Sequence, residues 1–241
     1  MAIEEIKDLK KPKCVGIIMD GNRRWAKQRN LPSFEGHKIG YNKVKEIADW
    51  CIGEKIPNLI VYAFSIENWK RSKEEVSYLM NLIKLMVDKD KDLPLFKEKG
   101  ARVSFVGDMS LVSEDLKRLI LKAEEETIEL KKLHTVIAFS YGGRREILNA
   151  AKEISKIKDK KEIESMTEEE FSKFLWTNKI GVPDPDIIIR TSGEMRLSNF
   201  LTWQSVYSEL FFTKTYWPDF SYEEFKKILD EFSFRERRLG K

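Results

Sequence analysis

Short apolar runs that stop abruptly in polar clusters recur along this chain. Cys14-Val15-Gly16-Ile17-Ile18-Met19 runs into Asp20-Gly21-Asn22-Arg23-Arg24-Trp25, and Leu59–Phe64 runs into Ser65-Ile66-Glu67-Asn68-Trp69-Lys70-Arg71. Thr135–Ser140 closes on Tyr141-Gly142-Gly143-Arg144-Arg145-Glu146, and Ile187-Ile188-Ile189 ends in Arg190-Thr191-Ser192-Gly193. Runs of this length bounded by turn residues predict buried strands, and Ala101–Gly107 alternates as a strand does. Between them the apolar spacing is helical. It places Val44, Ile47, Ala48 and Cys51 on one face after Gly36-His37, and Val76, Leu79, Leu82, Ile83 and Met86 on a wide face of a helix from Ser72 to about Lys89. Leu111–Lys131, the stretch from Gly143 through Ile154, a start at Thr167, and Phe225 to Phe232 read as further helices. Strands alternating with helices predict an α/β fold with a central, mostly parallel sheet flanked by helices, in which ligands bind beyond the carboxyl ends of the strands.

The chain has 241 residues and no linker-like composition break, so one domain spanning 1–241 is expected, with a polar lead (1–13) and a basic tail (235–241). Apolar residues at 41% and charged residues at 35% describe a globular chain with a solvated surface, not a disordered one. The net charge of +4 is too balanced to suggest a nucleic-acid partner. No apolar run approaches the roughly 20 residues that span a bilayer, and the lead lacks a signal-peptide core, so a cytoplasmic protein is expected. Cys14 and Cys51 are far apart and His37 and His134 are the only imidazoles, so neither a disulfide framework nor a zinc site is predicted.

The strand ends carry the candidate chemistry. Arg190 and Arg196, with Thr191, Ser192 and Ser198 hydroxyls around them, suit a diphosphate, because each phosphate can take a forked pair of hydrogen bonds. Asp20 either caps the helix that follows it or offers a hard oxygen ligand to a divalent cation, while loop N–H groups and Arg23 or Arg24 take phosphate oxygens. Ser65, Glu67 and Asn68 read as turn chemistry or as ligand contacts, and Trp69 as packing or as a site wall. Glu209, in an apolar segment, needs a cation or donor partner, a metal being one candidate. Asp88, Asp90 and Asp92 read as a solvated helix end. The wide face from Val76 to Met86 is either plain core or the wall of a greasy channel.

Assembled, these stretches resemble the cis-prenyltransferases, the undecaprenyl and dehydrodolichyl diphosphate synthases. The likeness runs from Val15 to Gly240 and rests on Ile18–Trp25, Gly36-His37, Tyr62–Trp69, Arg190–Gly193 to Asn199, Glu209–Phe212 and the terminal Arg238-Leu239-Gly240. The resemblance implies a homodimer with a hydrophobic product tunnel. It implies Mg²⁺-dependent condensation of an allylic diphosphate, farnesyl or geranylgeranyl, with successive isopentenyl diphosphates. By similarity Asp20 and Glu209 hold Mg²⁺, and Asn68 is the family's proton acceptor, although an amide is a poor base and a positioning role suits it better. Gly21, Asn22, Arg23, Arg24, Trp25, His37, Ser65, Ile66, Glu67, Trp69 and Arg71 would surround the allylic substrate. Arg190, Arg196, Leu197, Ser198, Arg238 and Gly240 would hold isopentenyl diphosphate, with Glu209 and the tail acting across the dimer interface.

Four positions depart from the family pattern: Ser33 in place of a phosphate-binding arginine, Arg23 in place of glycine, and Cys14 and Met195 in place of histidines. The Asp-Asp-x-x-Asp signature of trans-prenyltransferases is absent from the sequence. The rivals are another metal-dependent phosphoryl enzyme and a non-catalytic partner subunit, the latter disfavoured by the joint presence of Asp20, Asn68, Arg190, Arg196 and Glu209. The expected tunnel is lined by the Val76–Met86 face and the strand Val136–Phe139, with Leu79, Leu82 and Leu133 setting product length. Release of a greasy product implies peripheral contact with a membrane.

Overall fold

A computed structural model describes residues 11–235 of the chain. Its strands are β1 (Cys14–Ile18), β2 (Asn58–Ser65), β3 (Ala101–Val106), β4 (Leu133–Tyr141), β5 (Ile187–Arg190) and β6 (Glu209–Phe212). Its helices are α1 (Asn22–Gln28), α2 (Ser33–Gly53), α3 (Lys73–Val87), α4 (Leu93–Glu98), α5 (Glu114–Thr127), α6 (Gly143–Ile157), α7 (Lys160–Glu164), α8 (Glu168–Ser172), α9 (Trp176–Lys179) and α10 (Tyr222–Phe234). The six strands form one sheet in the order β3-β4-β2-β1-β5-β6, every pairing parallel. The expected parallel sheet is parallel throughout, and the apolar segment beginning at Glu209 joins it beside β5 as an edge strand, with Ile187 opposite Glu209 and Arg190 opposite Phe212.

All-parallel sheets need both faces covered, which explains why β1 and β5 are apolar at nearly every position and wholly buried. One face packs against α2, α3, α4, α5 and α10 through residues such as Val15, Ile17, Val61, Ile137, Phe139 and Phe225. The other face buries Cys14, Ile18, Ile60, Val136 and Ala138 with Phe200 and Leu201. Side chains of a strand alternate between faces, so Val136 and Ile137 lie on opposite sides of the sheet. Several helices start where polar residues predict: Ser72, Ser113, Thr167 and Ser221 each accept a backbone N–H three residues on. Cys14 and Cys51 are buried free thiols. Asp92 does not belong to a solvated helix end: Tyr41 donates its hydroxyl to it and Lys45 Nζ lies 2.8 Å away.

Strand order reverses at β1. The chain first builds outward through β2, with β4 and β3 beyond it, and later returns to β1's other side with β5 and β6. Such a reversal leaves a crevice at the carboxyl ends of the two strands that diverge, and here those ends carry Asp20 and Arg190. Among the described residues no helix is long and apolar enough to cross a membrane.

Candidate active site

Asp20 follows β1 and Arg190 ends β5, and their side chains meet, Arg190 Nη2 lying 2.8 Å from Asp20 Oδ2. Gly21 turns the chain with φ of 106° and lets α1 start at once, which brings Arg24 back over Asp20, Nη2 to Oδ1, at 3.1 Å. Arg24 also donates to Ser192 Oγ at 2.6 Å and pairs with Glu194 at 3.2 Å. Burial would push the Asp20 carboxyl up, but the hydrogen bond and charge of Arg190, then those of Arg24, outweigh it and hold Asp20 below its ordinary range. Arg190 is itself buried. Its Nη1 donates to the Arg196 carbonyl and, at 2.7 Å, to Ser198 Oγ, and its Nε has no hydrogen-bond partner among the described residues.

A second cluster faces the first across the cleft. Glu75, in the first turn of α3, lies 3.1 Å from His37 Nε2, accepts from Arg71 at 2.9 Å and lies 4.0 Å from Arg23. Burial lowers the pKa of His37, the Glu75 carboxylate works against it, and the net result is a ring that holds its proton less tightly than a free histidine. The cleft has a volume of about 710 Å³ and is lined by residues of both clusters, including Asp20, Arg23, Arg24, His37, Arg71 and Ser33. Through Met19, Asn22 and His37 it adjoins an apolar cavity of about 60 Å³ under α2 and α3, walled by Val61, Leu79, Leu82, Ile83 and Met86. Asn22 donates to the Met19 carbonyl at 3.3 Å, with its Oδ1 buried and without a hydrogen-bond partner among the described residues.

The turn after β2 is built from its own polar residues. Asn68 Oδ1 accepts the Ser65 N–H at 3.0 Å, and Glu67 Oε1 accepts from Asn199 Nδ2 at 2.9 Å. Ile66 is half-buried. Trp69 donates its indole N–H to Ser140 Oγ at 2.9 Å and stands edge-on to Phe64. Trp25 turns away from the cleft: its indole donates to Asp219 Oδ1 at 2.7 Å, and Arg29 stacks on its ring. On the far side Arg196 is exposed and paired with Glu194, Ser198 is exposed, and Leu197 is half-buried.

The expected places of Glu209, of the strand Val136–Phe139 and of the tail fare differently. Glu209, expected to act across a dimer interface, lies apart from Asp20 in its own chain. It starts β6, opposite Ile187, about 10 Å along the sheet from the end that holds Arg190, and its carboxylate is taken by Arg235 Nη1 at 2.6 Å. No residue from Val136 to Phe139 lines the apolar cavity, since β2 stands between β4 and β1 and supplies Val61, Ala63 and Phe64 instead. Arg238 and Gly240 lie outside the described residues. Two carboxylates that sequence reasoning missed, Glu75 and Glu194, neutralise the cleft's arginines; the i, i+4 spacing of Arg71 and Glu75 was the one local signal for the first.

Arg23, Arg24, Lys27, Arg71, Arg190 and Arg196 outnumber the carboxylates Asp20, Glu75 and Glu194 around this cleft. A polyanionic head would displace internal carboxylates from exposed guanidiniums, and an apolar tail would enter beside Met19 and His37. Residues 18–240 match the family described as "Putative undecaprenyl diphosphate synthase". The chain is 46% identical over 230 residues to the isoprenyl transferase of Thermotoga maritima, covering 95% of this chain and 97% of that one. It is 43% identical over 242 residues to the tritrans,polycis-undecaprenyl-diphosphate synthase (geranylgeranyl-diphosphate specific) of Thermoplasma volcanium, covering 99% and 93%. Its fold superposes on lavandulyl diphosphate synthase from Lavandula x intermedia, solved in complex with dimethylallyl diphosphate, with a TM-score of 0.88 and 34% identity over 96% of this chain and 99% of that one. The all-parallel fold, the cation-rich cleft at its switch point and these likenesses agree, and the chain belongs to the undecaprenyl diphosphate synthase family, the prenyl transferases of the cis type.

Proposed function

We propose that this protein condenses an allylic diphosphate, farnesyl or geranylgeranyl, with successive isopentenyl diphosphates to give a long Z-polyprenyl diphosphate. The observation that carries the reading is the continuity of the polar cleft with the apolar cavity under α2 and α3, which suits a molecule with a diphosphate head and a hydrocarbon tail. The Thermoplasma relative's name supports the longer starter, and the Thermotoga relative's name leaves it open.

In this reading Arg23, Arg24 and the α1 entry at Gly21 and Asn22 receive the allylic phosphates, with Ser192 keeping Arg24 aimed into the cleft. Arg196 and Ser198 receive isopentenyl diphosphate, while buried Arg190 fixes the loop that presents them. The allylic C–O bond breaks with its electron pair leaving on diphosphate, the isopentenyl double bond supplies the new C–C bond, and one proton is lost from the isopentenyl unit. Asn68 has its Oδ1 engaged by the Ser65 N–H, which favours a positioning part, with diphosphate or water taking the proton. The apolar walls from Leu79 to Met86 exclude water from the developing cation.

Asp20 fits Mg²⁺ as an ionised hard donor at the cleft, held below its ordinary pKa. Among the described residues no group of three or more His, Cys, Asp or Glu is arranged for a metal, so the fit is to an ion shared with substrate phosphates, the usual habit of Mg²⁺. An ion held there by Asp20 would supply charge neutralisation for a departing diphosphate. A homodimer through the β6 edge accords with the exposed Val206, Leu210 and Phe234 near that strand, and it is the arrangement in which Glu209 could serve a neighbouring site. Incubation with labelled isopentenyl diphosphate, Mg²⁺ and each allylic diphosphate in turn is expected to yield long products that Asp20→Ala abolishes. No product from folded, dimeric protein would point instead to a non-catalytic partner subunit.

A further inference from the structure

The segment that follows Arg196 is unusual backbone. Ser198 (φ 49°), Asn199 (67°) and Leu201 (45°) all occupy the left-handed region, which side chains other than glycine adopt only when their surroundings hold them there. Arg190 holds Ser198, and Tyr62 donates its hydroxyl to the Ser198 carbonyl at 3.3 Å. Asn199 supplies the rest of the hold. Its carbonyl accepts the Gly143 N–H at 2.7 Å, its Oδ1 accepts the Arg144 N–H at 2.9 Å, and its Nδ2 donates to Glu67.

The first-turn amides of α6 are therefore met by a residue 55 positions away, because Gly142, at the helix N-cap, has no side chain with which to meet them. The paired glycines make room for this arrangement. A Cβ on Gly142 would lie 2.7 Å from Asn199 Nδ2, and one on Gly143 would collide with Thr202. The polar strand end Tyr141-Gly142-Gly143 is a socket for Asn199.

We infer that Asn199 is a positioning residue that clips the Arg196–Ser198 loop at once to the N-terminus of α6 and, through Glu67, to the turn bearing Asn68. The inference rests on the proposed assignment of that loop to isopentenyl diphosphate. The clip fixes the distance between the isopentenyl grip and the turn at the end of β2 before either substrate arrives.

The test is steady-state kinetics with each substrate varied, alongside titration with inorganic diphosphate and thermal unfolding of each variant. Asn199→Ala is expected to raise KM for isopentenyl diphosphate about tenfold, the loss of one or two net hydrogen bonds, with KM for the allylic substrate within about twofold of wild type. Asn199→Asp keeps the acceptor for the Arg144 N–H but sets a carboxylate against Glu67. The two carboxylates repel, so its KM for isopentenyl diphosphate should rise at least as far as that of Asn199→Ala, and adding Glu67→Gln to it, which removes the repulsion and restores a donor, should recover part of the loss. Should Asn199→Ala fail to fold, Gly142→Ala, whose methyl presses on Asn199 Nδ2, is expected to give the same selective rise. An unchanged KM for isopentenyl diphosphate, or an equal rise in both KM values, overturns the inference. If wild type transfers no prenyl group, the functional reading fails by itself; weaker diphosphate binding in Asn199→Ala would still support the clip, and equal binding would overturn it.

Discussion

Arg190 and Asp20 are 170 residues apart in sequence and 2.8 Å apart in space, and the same guanidinium that holds Asp20 through Nη2 holds Ser198 and the Arg196 carbonyl through Nη1. One planar group thus sets the cleft's carboxylate and the opposite Arg196–Ser198 loop in fixed relation. An ammonium on a flexible stem can satisfy one side of this bridge but not both. Arg190→Lys is therefore expected to lower kcat/KM by roughly tenfold to a hundredfold while retaining the fold, measured by initial rates and circular dichroism. A lysine variant with wild-type kinetics would remove the bridge from consideration.

Glu75 stands where a substrate phosphate would compete with it, against Arg71, Arg23 and His37. Removing its charge should leave those groups freer for an anion. Glu75→Gln is expected to tighten binding of inorganic diphosphate by roughly threefold to tenfold, with the larger effect at low salt, as calorimetric titration would read. Weaker binding would mean that Glu75 orients the cations more than it neutralises them.

Glu146 is 1% exposed and accepts from the Tyr141 hydroxyl, Gln204 Nε2 and the Trp176 N–H, and among the described residues no cation pairs with it. Burial raises its pKa, and these hydrogen bonds only partly pull it back. The folded state then holds the proton more tightly than the unfolded chain. Its contribution to stability is complete below the ordinary glutamic acid value and is lost as pH rises through the raised one. Thermal unfolding of wild type and Glu146→Gln across that interval should show wild type losing ground to the variant as pH rises; parallel curves would contradict the raised pKa.

Leu79 and Leu82 wall the apolar cavity, whereas Leu133 is buried in the core without reaching it. Leu79→Ala or Leu82→Ala is expected to lengthen the product by at least about one isoprene unit, since a few carbons of wall are removed. Leu133→Ala should cost about 2–5 kcal/mol of stability, as a large core truncation does, and leave chain length unchanged. Product chromatography separates the two cases, and a length change confined to the Leu133 variant would show that the growing chain runs along β4.

Four strands are legible as mainly apolar runs cut off by Asp20, Ser65, Tyr141 or Arg190 and β3 by its alternation, whereas β6 is not read as a strand, and several helices are legible by their serine and threonine caps. Less could be read where partners come from remote sequence. Nothing local to Glu194 announces Arg24, and nothing near Trp25 announces Asp219. Val136 was misplaced for a different reason. The apolar run marks it as a core strand, but strand order is not written in that run, and β2, lying between β4 and β1, takes the place at the cavity. Glu209 shows the same limit on the scale of the sheet: its apolar setting signalled a needed partner, but only the β5–β6 register shows which end of the sheet it occupies.

Parallel neighbours can never be joined by a tight hairpin, and the order β3-β4-β2-β1-β5-β6 imposes an unequal wait on the strand made first. As the ribosome delivers the chain, β1 gains β2 early but shows a bare edge until β5 arrives some 170 residues later, and the Asp20 carbonyl then waits for the Trp217 N–H. Nascent protein should therefore remain vulnerable to strand-edge association, and to protease, until nearly the whole chain has emerged. Catalytic competence would then switch on late and all at once, since the last pieces to dock are the ones that close the cleft.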